Sequence, residues 1–245
     1  MKMTISKNEF AGLCLNCFKE NGLDVFCEEK TLDLLYNMTD HMLTVNAEMN
    51  LTAITEPEDV VLKHLADSLS AARFIPTGAK LLDVGCGGGF PSLPLAIARP
   101  DLSITALDST AKKTKYVADT AKLLGLDNLK TLTGRAEELA QEPQYRESFD
   151  VSIARAVASL PVLTELCLPF VKVGGRMVAM KARLDESEQT NAPQILGASR
   201  FEKEEFQLVG GSAEPETRLI LIAEKQNPTP SAYPRAYAQI KKKPL

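Results

Sequence analysis

The stretch DVGCGGGF at residues 83–90 decides how the rest of this 245-residue chain is read. It follows a short apolar run at 81–84 and precedes a helix-like segment at 92–98. Glycines at 85, 87 and 89 let a backbone turn sharply and bring it close to a ligand. Twenty-five residues after Asp83, at the end of the next apolar run (103–107), stands Asp108. A carboxylate there can accept hydrogen bonds from both hydroxyls of a ribose. Further runs at 129–133, 151–154 and 177–180 alternate with helix candidates at 110–124, 136–140 and 159–171. That alternation predicts an α/β fold, a mostly parallel seven-stranded sheet with helices on both faces. Gly174-Gly175 reads as a tight turn into the fifth strand, 185–198 as another helix, and 206–209 with 218–223 as a closing pair of strands.

Residues 1–75 read as a helical extension capping this core. Ser6 and Glu9 form a capping-box pattern with Ile5 and Phe10 as a hydrophobic staple, and Gly22 is a stop. A second helix is expected over 28–45. A third begins at Thr55, with Pro57 in its first turn and Glu58 completing another capping box. The expected division is a cap at 1–75, a ligand-binding core at 76–225 and an irregular basic tail at 226–245.

A dinucleotide site wants a small residue where this glycine loop has Phe90, followed by Pro91. A bulky ring suits a wall against an adenosine better than a pyrophosphate cradle. An acid beside the glycines, Asp83, suits a ligand carrying an ammonium and a sulfonium. The acid–spacer–Gly-x-Gly-x-Gly order resembles the first motif of the Rossmann-like, class I S-adenosylmethionine (SAM)-dependent methyltransferases, so SAM is favoured over a nicotinamide dinucleotide.

More of the chain extends the resemblance. Asn50-Leu51-Thr52 with Ile54, His64 with Asp67-Ser68-Leu69, DVGCGGGFPSLPLAI at 83–97, Asp108-Ser109 with Lys112-Lys113, GRAEEL at 134–139, ARAVASL at 154–160, GGRMVAMK at 174–181 and the ending YPR…KKKPL occur in one order. Together they resemble the bacterial 16S rRNA guanine-N7 methyltransferases, the family also called glucose-inhibited division protein B. The resemblance implies SAM contacts at Gly85 and Phe90, at the ribose acid Asp108, at Ala136-Glu137 and at Arg155. Asp83, Gly87 and Ser109 complete the expected cofactor site. It also implies methylation of one guanine in the decoding-region loop of 16S rRNA, in a small subunit or its assembly intermediate. A small-molecule SAM methyltransferase is the alternative.

The chemistry agrees with the resemblance. Exocyclic amines usually meet an Asn/Asp-Pro-Pro-aromatic motif after the fourth strand, where this chain has Ala154-Arg155-Ala156-Val157. Cytosine C5 needs a nucleophilic cysteine, and Cys167 sits too far along, in a helix. Guanine N7 is an exposed acceptor with no proton to remove. Arg155, at the carboxyl end of that strand, is the expected catalytic residue, forking to guanine O6 or shaping the SAM pocket; its bland alternative is a salt bridge to Glu137. His64 lies on an apolar stripe and reads as a packing histidine. Asp67 and Ser68 read either as supports of the cofactor loop or as capping residues.

Composition sets the remaining bounds. Five cysteines in a chain of this length do not suggest a disulfide framework. Cys14 and Cys17 fall at helical spacing with Phe10, Leu13 and Phe18, so they read as core and no metal is expected. The longest uncharged run, 84–98, is 15 residues, broken by four glycines and two prolines. That is short of the roughly 20 apolar residues of a membrane span. A cytoplasmic monomer is expected. The net charge of −4 hides an asymmetry: residues 1–75 hold 6 Lys/Arg against 12 Asp/Glu, and residues 76–245 hold 22 against 20. Lys112, Lys113 and Lys115, with Arg235, Lys241, Lys242 and Lys243, are the expected RNA phosphate contacts, few enough to give a shallow salt dependence.

Overall fold

The computed structural model describes residues 3–155, 158–210 and 215–245. Its centre is one seven-stranded sheet of order β3-β2-β1-β4-β5-β7-β6. The strands are β1 (Lys80–Val84), β2 (Ser103–Asp108), β3 (Leu129–Thr133), β4 (Phe149–Arg155), β5 (Val171–Lys181), β6 (Glu202–Leu208) and β7 (Glu216–Glu224). The pairs β1–β2, β2–β3, β1–β4 and β4–β5 are parallel, and β7 runs antiparallel between β5 and β6. The chain leaves β1 toward one edge and returns through β4 toward the other. Such a reversal opens a crevice at the carboxyl ends of β1 and β4.

Side chains alternate between the faces with the period-2 geometry of a strand. Leu81, Ile104, Val151, Ile153 and Val178 face one buried cluster, while Leu82, Val84, Leu107, Ala154 and Ala179 face the other. The first cluster is filled by the N-terminal helices α1 (Lys7–Glu20), α2 (Glu29–Met49), α3 (Pro57–Val60) and α4 (Asp67–Ser70), then by α5 (Ser92–Ala98) and α6 (Ala111–Leu124). The helices of the first 75 residues therefore form a layer in the same core as the sheet. The second cluster holds α7 (Ala136–Leu139) and α8 (Leu160–Cys167) against the opposite face. Cys14, Cys17 and Cys167 are buried.

The Ser6–Glu9 capping box closes as expected, Phe10 is buried in the core and Ile5 packs partly buried against the same cluster. Helix α2 runs to Met49, one turn past the expected end, and stops where Asn50 adopts the left-handed conformation. The Thr55 capping box does not form. Pro57 leads the helix from Glu56 without a side-chain cap, and the threonine hydroxyl used nearby is that of Thr52, which accepts from Ile54 N–H. Beyond α3 the helix widens to π geometry over Val61–Ala66, where Asp67 N–H reaches back to the Leu62 carbonyl, before closing as α4 and a 3-10 turn, Ala71–Phe74.

Three expectations at the carboxyl side are corrected. The segment 185–198 is not one helix: a 3-10 turn (Glu186–Glu188) and the short α9 (Ala192–Ile195) replace it. Pro193 limits helical hydrogen bonding, and Glu188 is drawn away to Lys181 and to Leu160 N–H. Gly174-Gly175 lies within β5, beside the irregularity in its pairing with β4. The tail is not irregular throughout: it forms α10 (Tyr237–Lys242), with Ile240 wholly buried. No helix among the described residues is long and apolar enough to cross a membrane.

Candidate functional site

A cavity of about 510 Å3 opens at the carboxyl ends of β1, β2 and β4, floored by the glycine loop. The loop is fixed from beneath, since Gly85 and Cys86 N–H both donate to the Leu107 carbonyl at the end of β2. Gly85, Gly87 and Gly89 all have positive φ. At Gly89, with φ +88°, a Cβ would also stand 2.4 Å from the Leu93 side chain, so the turn into α5 requires glycine there.

Asp108 ends β2 at the cavity wall. Its Oδ2 accepts from Gly87 N–H at 3.1 Å and its Oδ1 from Thr110 N–H at 2.8 Å. These bonds aim the carboxylate, and each oxygen keeps lone-pair capacity for a ligand hydroxyl. Lys113 Nζ lies 3.8 Å from Oδ2. Ser109, Ala136 and Glu137 join the lining on the β2 and β3 side.

Asp83 is placed differently from the expectation of a ligand contact. It is wholly buried and does not line the cavity; it accepts from the Ser92 hydroxyl on α5. Odd positions of β1 face the helical layer, so this carboxylate sits beneath the glycine loop and ties it to α5. Burial pushes its pKa up to about 6, against the stabilising effect of Ser92 and Arg155.

At the β4 end, Arg155 forms the cavity's other boundary. Its Nη1 donates to Asp67 Oδ2 at 2.8 Å and to the Lys63 carbonyl at 3.1 Å, and its Nη2 lies 3.4 Å from His64 Nδ1. The partner is thus Asp67, not Glu137. Asp67 also accepts from Arg218 Nε at 3.0 Å through its other oxygen. One buried carboxylate therefore holds two guanidinium groups, one from β4 and one from β7. Ser68 is buried beside it without a hydrogen-bond partner among the described residues.

His64 is buried, as its apolar stripe implied, and it also shapes the site. Its ring stacks on Phe90 with centroids 4.3 Å apart, and Arg155 lies 5.2 Å from the Phe90 centroid. Nε2 is 2.8 Å from the Thr52 hydroxyl. Because Arg155 donates toward Nδ1, the proton resides on Nε2. Burial, aided by the Arg155 charge, lowers the His64 pKa to about 3, so the ring is neutral at physiological pH.

A second cavity of about 690 Å3 adjoins the first and shares His64, Arg155 and Ala158 with it. Lys63, Arg218, Lys181 and Arg183 bring positive charge to its lining, balanced in part by Glu216 and Glu188. Sequence reading missed Lys63, Arg218 and the pairing role of Asp67. A signal existed in Arg218, the one charge opening the apolar run RLILIA at 218–223. Ala156 and Val157, quoted with Arg155 in the motif after β4, lie outside the described residues. Among the described residues no group of His, Cys, Asp and Glu side chains is arranged to hold a metal.

The cations expected to meet phosphate divide into two groups. Lys112, Lys113, Lys115 and Lys241–Lys243 are exposed, with Lys115 paired to Asp119 at 2.6 Å. Arg235 is instead committed to the fold. Its Nε and Nη2 grip the buried Glu165 at 2.9 and 2.6 Å, so it is not a free phosphate ligand.

Comparison with known proteins is consistent with this geometry. A family model described as "GidB: rRNA small subunit methyltransferase G" matches residues 31–217. Proteins named ribosomal RNA small subunit methyltransferase G are similar along most of their length. The one from Acetivibrio thermocellus is 40% identical over 228 residues, 92% of this chain and 93% of that protein. The one from Deinococcus radiodurans is 45% identical over 220 residues, 87% of this chain and 84% of that protein. Among solved structures, an O-methyltransferase from Bacillus cereus in complex with SAH superposes with TM-score 0.54 at 19% identity, covering 77% of this chain and 91% of that one. A methyltransferase bound to the Haloferax volcanii Trm112 activator gives TM-score 0.56 at 15% identity, covering 76% and 98%. At such identities these two establish the class I methyltransferase fold alone.

Proposed function

The chain belongs to the rRNA small subunit methyltransferase G family, and on that premise we propose that it methylates 16S rRNA from S-adenosylmethionine, at N7 of a guanine. The observation that carries this reading is the pair of adjoining cavities whose shared wall is Arg155, His64 and Ala158. One cavity has the features of a nucleoside site, and the other opens beside it with cations and carboxylates paired along its lining. A methyl group can pass only where two such sites meet.

The residues present fit the methyl donor. Asp108 offers two aimed carboxylate oxygens to a ribose diol, and the glycine loop keeps its backbone free of side chains at the floor. Phe90 and the apolar ends of β1 and β2 supply walls. Gly85, Gly87, Phe90, Asp108, Ser109, Ala136, Glu137 and Arg155 would hold the donor, with Asp83 supporting the loop from below. When bound, S-adenosylmethionine supplies a methyl on a sulfonium, a leaving group that needs no acid.

The chain's own part is then positioning. Among the described residues, no side chain at the shared wall is free to take a proton. His64 is neutral with its N–H turned to Thr52, and Asp67 is occupied by two guanidiniums. A nucleophile with a lone pair and no proton to lose suits this wall, and guanine N7 is one. Arg155 uses three of its five N–H donors on Lys63, Asp67 and His64. Two lack a partner among the described residues, enough to grip O6 beside N7. Incubating labelled S-adenosylmethionine with small subunits lacking the modification tests the reading. Label is expected in 16S rRNA, and its absence in every state of subunit assembly overturns the proposal.

A further inference from the structure

The segment after β7 reaches the donor cavity. From β7 the chain crosses the face of α8 as a strap fixed at several points. Arg146 donates to the Thr229 and Tyr233 carbonyls at 2.8 and 2.9 Å, and Gln141 to the Pro234 carbonyl at 2.8 Å. Arg235 clamps the buried Glu165 of α8, Ile240 is wholly buried, and Thr190 donates to the Leu245 carbonyl at 2.7 Å. A segment held at both ends in this way places what lies between. That is Tyr237, the first residue of α10, whose side chain lines the donor cavity while remaining 38% exposed. The Arg135 guanidinium lies over its ring, 5.8 Å from the centroid.

The order of the strands says which end of a ligand Tyr237 would meet. Asp108, on β2, marks the ribose. The reactive end must point to the wall shared with the second cavity, at Arg155 on β4. The base must therefore lie on the other side of Asp108, toward β3, where Arg135 follows Gly134. Phe90, the other aromatic of the lining besides His64, is already stacked on His64 near Arg155. Tyr237 is thus the aromatic ring available to a purine.

We propose that the C-terminal strap is part of the methyl-donor site, with Tyr237 supplying an aromatic wall for the adenine ring. The inference rests on the donor reading above. Stacking of a base on an aromatic side chain is sequence-tolerant and needs only the ring face, so the hydroxyl is dispensable.

Calorimetric titration of the full chain with S-adenosylmethionine, and separately with adenosine, tests it. Tyr237→Ala should weaken both ligands by about tenfold, within the range of base–aromatic stacking. Tyr237→Phe should bind both as the wild type does, and Tyr237→Leu should fall between. Adenosine lacks the methionyl arm, so an equal loss for both ligands assigns the contact to the nucleoside. Wild-type affinity in Tyr237→Ala and Tyr237→Leu, or a loss confined to S-adenosylmethionine, overturns the inference. Failure of the wild-type chain to bind S-adenosylmethionine overturns the donor reading instead.

Discussion

Replacing Arg155 with Ala separates its chemical role from its structural one, because the structure limits the damage to the fold. The substitution removes a charge-assisted bond to Asp67, a bond to the Lys63 carbonyl and a ring contact with Phe90. Orphaning a buried carboxylate would cost about 3–5 kcal/mol. Asp67 is not orphaned, since Arg218 stays on its other oxygen at 3.0 Å. The cost is then closer to that of one hydrogen bond to a charged group, about 1.5–3 kcal/mol. A domain of ordinary stability, about 5–15 kcal/mol, stays folded after such a loss. Methyl transfer should suffer more. Removing a preorganised donor from a reacting site costs about 100-fold or more in rate. Arg155→Lys keeps the charge but not the fork, and should be about tenfold slower than wild type. The assay is transfer of labelled methyl to unmethylated small subunits, with urea unfolding on the same preparations. Transfer by a folded Arg155→Ala variant within threefold of wild type refutes the assignment.

Three further outcomes follow from the same geometry. His64, held neutral with its pKa lowered to about 3, should contribute no inflection to the rate between pH 5 and 9; an inflection near 6.5 that His64→Gln removes would contradict this. Asp83, raised by burial from 3.8 to about 6, keeps its proton more tightly in the folded chain than in the unfolded one. The wild type therefore loses stability as pH rises from about 4 to about 6, and urea unfolding should show Asp83→Asn gaining about 2 kcal/mol relative to wild type between pH 4 and pH 7. A pH-independent difference counts against it. With six exposed lysines available and Arg235 committed to Glu165, the log–log salt dependence of RNA binding should be no steeper than about −5; a slope near −10 would mean a phosphate-binding surface elsewhere.

The parts of the fold that were legible in the sequence are those governed by local rules. Alternating apolar runs and helices specified the sheet, because each strand buried on both faces must be nearly continuous in hydrophobicity. The spacing from the glycine loop to Asp108 was legible because one βαβ unit has a narrow range of lengths. What escaped was set by distant partners. Asp67 meets Arg155 and Arg218 across 88 and 151 residues, and the π-helical turn that precedes it shifts the helical register by which such a pair would be sought. The proline-rich composition of the tail concealed α10, a six-residue helix that buries only Ile240 and follows a segment, 229–235, anchored by Arg146, Gln141 and Glu165. The net charge of −4 averages over two unlike regions. The acid surplus belongs to the N-terminal layer, and exposed lysines lie on α6 and α10 near the donor cavity.

If the wall between the two cavities delivers a methyl group to a ring nitrogen of guanine, the product is N7-methylguanine. N7-methylguanine is open to borohydride reduction and aniline scission, which cut the RNA chain at the modified base. Small subunits lacking the modification, treated with the purified chain and S-adenosylmethionine, should yield 16S rRNA cut at a single guanine, and Arg155→Ala should leave the RNA uncut. Labelled 16S rRNA that resists scission, or methyl label recovered on an exocyclic amine, would contradict the account.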